Sequence, residues 1–287
     1  MSFIKSLIQE NKNINITKFH GEGLEVKYTE PATEEVCEIC FLDVETTGKN
    51  KQEDDIIELA MKVASINKET GDIAEISSSY ESMNDPGIPI TEEASLINGI
   101  TDDMISGKCI AWETVSKIIE SSDLIVSHNA SFDRAFIDRA LPLSQDRIWA
   151  CTITDIDWMA RGFNNYKQEL LCIWHGFYYD SHRAMTDIDA LIHLVTHNEY
   201  SDNKPVLELI DNAYKPYYKI SALHSPYETK DRLKSRNYYW NGIDKYWWKQ
   251  IDLEETDSEI EWLKESVYEG PFLGRVEEIT IVDKYKD

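Results

Sequence analysis

Glu38-Ile39-Cys40-Phe41-Leu42-Asp43-Val44-Glu45-Thr46-Thr47-Gly48 begins as an apolar run and closes on two carboxylates one residue apart. Side chains two apart on a strand share a face, so Asp43 and Glu45 leave the strand end in the same direction, where a buried sheet holds them rigidly. Such a pair repels itself unless cations lie against it. Two later stretches end in the same chemistry: His128-Asn129-Ala130-Ser131-Phe132-Asp133 and His182-Arg183-Ala184-Met185-Thr186-Asp187. Four carboxylates and one histidine thus sit on three separate segments.

Working outward, strands are expected at 38–44, 56–66 and 72–81, followed by a helix over 111–121. The short apolar run 123–127 reads as a further strand. Asn129 then stands where it can cap a helix whose Phe132, Ala135, Phe136 and Ala140 share a face, placing Asp133 in the first turn. Residues 148–151 open another unit, with helical runs near 152–161 and 168–175 and a loop carrying His182. A last helix, from about Met185 to Asn198, has Asp187 near its start and Leu191 and Leu194 on an apolar stripe. Antiparallel-type strands followed by alternating units predict an α/β fold with a mixed sheet flanked by helices.

Three regions are expected: an N-terminal extension over 1–33, with weak strand character at 24–28, a core domain over 34–200, and a small C-terminal α+β domain over 201–287. The last differs in composition. Residues 215–250 hold eight Lys or Arg against three Asp or Glu, although the whole chain of 287 residues carries a formal charge of -24. That acidic total argues against sequence-independent duplex binding through counterion release. Screening over about 8 Å still allows a cation-filled cleft and a local basic patch to act on a polyanion. With 42% hydrophobic residues, the chain buries a sizeable core. Neither a signal-peptide pattern nor a long apolar span is read, so a cytoplasmic protein with no membrane partner is expected. Cys37, Cys40, Cys109, Cys151 and Cys172 read as reduced thiols, the Cys37/Cys40 pair lacking a convincing second pair for zinc.

Asp43, Glu45, Asp133, His182 and Asp187 resemble the three exonuclease motifs of the DnaQ-like superfamily in its histidine-containing (DEDDh) subclass, over roughly residues 36–198. The related tyrosine subclass places Tyr four residues before the last Asp; here that position is Arg183. The stretch 96–101 resembles the family's segment beside the terminal nucleotide, with Asn98 where many members carry histidine. The resemblance implies an RNase H-like core. It also implies a 3′-to-5′ exonuclease releasing nucleoside 5′-monophosphates, in which Val44 and Thr46 meet the 3′-terminal nucleotide and Ile97, His128 and Phe132 border its base or sugar.

Phosphodiester hydrolysis needs charge relief on the phosphoryl oxygens, an ionised water and a stabilised leaving oxygen, which two cations about 3.5–4 Å apart supply together. Oxygen donors suit Mg²⁺ or Mn²⁺, two per site. Asp43 is assigned as bridging carboxylate and Glu45 and Asp187 as further ligands; Asp133, following the family, acts mainly through water. His182 is the candidate general base, since a neutral imidazole accepts a proton at physiological pH.

Single-stranded 3′ ends are the expected substrate, DNA favoured because Thr46-Thr47-Gly48 resembles the proofreading branch. An exoribonuclease trimming RNA ends or short oligonucleotides, and a non-catalytic binding module presenting nucleic acid or a protein partner to the C-terminal domain, are the competing readings. His193 and His197 are expected on a solvated helix face, and Asp189 on the surface. The Tyr and Trp cluster from Tyr238 to Trp248 is read both as the small domain's core and as a surface for bases. Lys230, Arg232, Lys234, Arg236, Lys245 and Lys249 would then follow the phosphates.

Overall fold

In the computed structural model, residues 16–27 and 35–286 are described. The parts of the expected N-terminal extension at 1–15 and 28–34 lie outside them. The chain divides into one unit ending at Tyr214, which Tyr285 rejoins, and a second spanning Lys215–Lys284.

After the short β1 (Thr17–Lys18), the first unit builds three long antiparallel strands: β2 (Val36–Thr46), β3 (Ile56–Asn67) and β4 (Ile73–Met83). Helices α1 (Glu92–Asn98), α2 (Asp102–Ile105) and α3 (Trp112–Ser121) follow. Then β5 (Leu124–Ser127) pairs parallel with β2, and after α4 (Ala130–Ala140), β6 (Trp149–Cys151) pairs parallel with β5. The five-stranded order is β4-β3-β2-β5-β6, the mixed sheet the sequence pattern predicts. The chain continues through α5 (Gln168–Trp174), β7 (Phe177–Tyr178), α6 (Ala184–Val195) and α7 (Pro205–Ala213).

Alternation along β2 sets the layers. Cys37, Ile39 and Phe41 face a core shared with Leu171, Ile188, Leu191 and Leu209 of α5, α6 and α7. Cys40, Leu42 and Val44 face the other core, with Val115, Ile119, Phe136 and Ile137 of α3 and α4. Helices therefore cover both faces, and Asp43 and Glu45 continue the α6 face beyond its last apolar residue. The expected domain break at 200/201 falls just before α7, whose Val206, Leu209 and Ala213 are buried in the first unit.

Two local expectations are overturned. Residues 152–161 form turns rather than a helix: Thr154 N and Asp155 N both bond back to Cys151 O, Trp158 N to Ile156 O and Ala160 N to Asp157 Oδ1 (2.8 Å), so no continuous helical ladder forms. Asn129 precedes α4 with φ 76° but makes no side-chain cap; Ala130 N meets Cys151 Sγ instead (3.4 Å).

Residues 16–27 account for two more corrections. This segment lies along α6: Phe19 stacks on His193 with ring centres 4.4 Å apart, and a Cβ on Gly21 would fall 1.9 Å from Asp189 Oδ2. Asp189 is buried, not on the surface, and is paired with Lys62 of β3. His193 and His197 pack around Phe177 rather than facing solvent. Cys37, Cys40, Cys151 and Cys172 are buried free thiols, while Cys109 is exposed.

The second unit is a four-stranded antiparallel sheet of order β11-β8-β10-β9: β8 (Tyr217–Ala222), β9 (Tyr239–Asn241), β10 (Tyr246–Ile251) and β11 (Arg275–Ile279). Helices α8 (Lys230–Ser235) and α9 (Thr256–Leu263) supply Leu233 and Leu263 to a core with Ile220, Ala222, Tyr238 and Ile251. Arg236 and Lys249 both bind the buried Glu259 (3.0 and 3.3 Å), so these two cations, expected along phosphates, close this core.

Candidate active site

Since β2 and β5 run parallel, their carboxyl ends open on the same sheet edge, where ligands of α/β sheets gather. Ser127 Oγ donates to Leu42 O (2.6 Å), tying the two ends together. One oxygen from each of Asp43, Glu45 and Asp187 lies within 4.8 Å of the others, although Asp187 comes from the first turn of α6. Asp133, buried in the first turn of α4, accepts from Val44 N (3.2 Å), which places it against the back of the same strand end. The Val44 N–H is thereby engaged. His182 is exposed, with a left-handed backbone (φ 67°), and lines a cavity of about 720 Å³ together with Asp43, Asp187 and the half-buried His128. A second cavity of about 270 Å³ is lined by Val44, Glu45, Thr46, Ile97, Asn98 and Phe132. The structure thus gathers all ten sequence-nominated residues around one strand end.

The electrostatics of this cluster are unbalanced. Burial, then the neighbouring Asp133, Asp187, Glu45 and Glu58, hold the Asp43 carboxyl well above the usual carboxylate range. Burial and Asp187 push Glu45 up to about 7, against a hydrogen bond from Asn98 Nδ2 (3.4 Å). Asp133 is raised by burial, opposed by the Val44 N–H. Burial also raises Asp187, opposed by donors from Tyr179 and Arg183.

Several supports were not anticipated from sequence. Glu58 of β3 stands opposite Glu45 in register and is fully buried. Its carboxylate takes Arg183 Nη2 (2.7 Å), Arg183 Nε (3.3 Å) and Ala184 N (3.1 Å), clamping the start of α6. The Arg183 guanidinium is therefore bound to Glu58 and reaches Glu45 only through its charge. Asp187 is held at both oxygens, by Tyr179 OH on Oδ1 (2.8 Å) and Arg183 N on Oδ2 (3.0 Å), while Gln168 Nε2 donates to Tyr179 OH (2.9 Å) and to Asp187 O (2.8 Å). A charge inside the apolar run Ile56-Ile57-Glu58-Leu59-Ala60-Met61 was the available signal for Glu58. Thr46 Oγ1 donates to Gly48 O (2.6 Å), leaving its methyl and backbone for other contacts.

The donor set is all carboxylate, with neither thiolate nor imidazole among the three converging groups, and its charge exceeds what neighbouring cations offset. That fits a hard divalent ion with oxygen preference.

An exonuclease family model, RNase_T, matches residues 40–195. The chain belongs to this exonuclease family. All five motif residues fall within the match. Among curated relatives, the PolC-type DNA polymerase III of Listeria welshimeri is 32% identical over 165 residues, covering 54% of this chain and 11% of the relative. The DNA polymerase III subunit epsilon of Treponema pallidum is 30% identical over 164 residues, covering 54% of this chain and 73% of that protein. The chain therefore spans only a small part of the PolC-type relatives. The solved complex of exonuclease X with 5′-overhanging duplex DNA is similar at 22% identity and a TM-score of 0.43, covering 59% of this chain and 99% of that one. Among the described residues, no helix is long and apolar enough to cross a membrane.

Proposed function

We propose that this chain is a divalent-metal-dependent 3′-to-5′ exonuclease that releases nucleoside 5′-monophosphates from single-stranded nucleic acid, with DNA the preferred polymer. One observation carries the reading: carboxylates from Asp43, Glu45 and Asp187 converge within 4.8 Å at a cleft lined by His182, in a chain of the exonuclease family. Asp43, Glu45 and Asp187 would hold Mg²⁺ or Mn²⁺, with Asp133 behind them. When bound, a pair of such ions supplies charge neutralisation at the scissile phosphate and eases ionisation of water.

The chain's own side chains do the rest. His182, on the open side of the cleft, takes the proton from the attacking water. The Glu58–Arg183–Ala184 clamp on one side and the Arg183 N–Asp187 bond on the other fix the loop that carries it. The cavity beyond Glu45 receives the terminal nucleotide between Ile97 and Phe132, and Val44 contributes its side chain because its N–H serves Asp133. His128, whose Nδ1 lies 2.8 Å from Thr152 Oγ1, is pushed down to about 4 by burial and serves as a neutral wall of the cleft.

The test is digestion of equal DNA and RNA strands by purified protein with Mg²⁺, Mn²⁺ or EDTA, beside Asp187→Ala. Metal-dependent shortening, faster on DNA and lost in the variant, is expected. Equal or greater RNA turnover would replace the polymer assignment, and activity in EDTA would remove the metal-dependent reading.

A further inference from the structure

Register in the second unit decides which side chains share a sheet face. Ala222, Trp247 and Trp240 form one cross-strand row, and Ile220, Lys249 and Val276 the next, on the side packed by α8 and α9. The intervening rows point the other way. Arg275, Ser221, Trp248 and Tyr239 line up across all four strands, with Lys219, Gln250 and Glu277 beside them.

This face is exposed at its edges: Tyr239 is 62% exposed while its neighbour Tyr238 is buried, and Arg275 and Gln250 are exposed. Ser221 between Arg275 and Trp248, and Tyr246 beside Lys219, are buried beneath their neighbours. The Lys219 ammonium lies 5.2 Å from the centre of the Trp248 ring and 5.6 Å from that of Tyr246. The Tyr239 and Trp248 rings are 5.6 Å apart. A pair of neighbouring rings with cations beside it complements a polymer of flat bases and phosphates, and a duplex keeps its base faces hidden. Over 215–284 the unit holds eleven Lys or Arg against fourteen Asp or Glu, so attraction for phosphates rests on Lys219 and Arg275 of this face and not on the unit's net charge. Glu277, the one carboxylate in these two rows, holds Arg275 at 2.8 Å and opposes the attraction.

We propose that this open sheet face is a single-strand binding platform, with bases stacking on Tyr239 and Trp248 and with Lys219 and Arg275 meeting the flanking phosphates. It extends the exonuclease reading and rests on it only for the class of polymer. Contact with nucleic acid therefore moves from the cations of α8 to the opposite side of the sheet.

The experiment is fluorescence anisotropy of the full chain in EDTA with a labelled oligo-dT and with a duplex of equal length. Hydrolysis is off under these conditions, so failure here and failure of the exonuclease reading are separate results. Oligo-dT should bind more tightly than duplex. Tyr239→Ala and Trp248→Ala should each weaken oligo-dT about 10-fold, or ~1.4 kcal/mol, and leave duplex unchanged. Trp248→Phe should stay within about threefold of wild type, and Glu277→Gln should tighten binding. If Trp248→Ala unfolds, Tyr239→Ala decides, because its ring is mostly exposed. Wild-type affinity in Tyr239→Ala, or equal losses on oligo-dT and duplex, would overturn the proposal.

Discussion

Removing a carboxylate from the cluster should stabilise the metal-free protein while abolishing its response to metal. Two unit charges 4.8 Å apart interact by about 3.5 kcal/mol at an effective dielectric of ~20, and Asp43 has both Glu45 and Asp187 within that distance. Partial protonation relieves much of this at neutral pH, so Asp43→Asn, which keeps the side-chain volume, should gain about 1–3 kcal/mol. For a unit of this size that raises the unfolding midpoint by roughly 2–4 °C per kcal/mol. The raised carboxyls bind more protons folded than unfolded, so their destabilisation grows as pH rises, and the gain should be larger at pH 8 than at pH 5. In Mn²⁺ at about 100 times its dissociation constant, wild type should gain about 2.7 kcal/mol and the variant little. Differential scanning fluorimetry in EDTA and in Mn²⁺ measures both effects. A metal-free Asp43→Asn protein less stable than wild type, or an equal Mn²⁺ shift in both, would refute the charge-frustrated cluster.

Three other perturbations follow from the same contacts. Arg183→Ala takes the guanidinium from the fully buried Glu58 carboxylate and leaves it the Ala184 N–H; because Arg183 is itself 43% exposed, the cost by chemical denaturation should be about 1.5–3 kcal/mol, with part regained in the Glu58→Gln/Arg183→Ala double variant. Tyr179→Phe deletes the donor to Asp187 Oδ1 and should weaken metal affinity or turnover about 10- to 100-fold, with nucleotide KM little changed. Burial pushes His175 down to about 3 and His193 and His197 to about 4; Glu25 partly opposes this at the latter two. Unfolded imidazoles titrate near 6.5, so the unfolded chain binds more protons between about pH 4 and 6.5, and these rings cost stability as pH falls through that window. Allowing for partial solvation, the loss at pH 5 should be about 2 kcal/mol, and His193→Phe, which keeps a ring against Phe19, should lose measurably less between pH 7 and pH 5.

What could be read from sequence was what depends on short spacing. Asp43 and Glu45 share a face because they are two apart at a strand end, and Asp133 and Asp187 sit in first turns because apolar stripes begin beside them. The unread parts depend on pairing between distant segments. Glu58 serves Arg183, 125 residues away, and Lys62 serves Asp189, 127 residues away. No periodicity joins such partners. The solvated face assigned to His193, His197 and Asp189 failed because residues 16–27, expected to be an appendage, cover part of α6. The helix expected over 152–161 failed because its backbone donors close separate tight turns, on Cys151 O, Ile156 O and the Asp157 side chain, in place of one continuous ladder. The aromatic cluster was ambiguous because Tyr238, just before β9, is buried while Tyr239, its first residue, is exposed, and only pairing with β10 tells which face Tyr239 and Trp248 share.

The most direct measurement is single-nucleotide-resolution digestion of a 5′-labelled DNA strand in Mg²⁺ by wild type, Asp43→Ala and His182→Ala. A ladder shortening one nucleotide at a time from the 3′ end in wild type, absent in both variants, is the predicted result. Internal cuts, shortening from the 5′ end, or a ladder that persists in either variant would contradict the account.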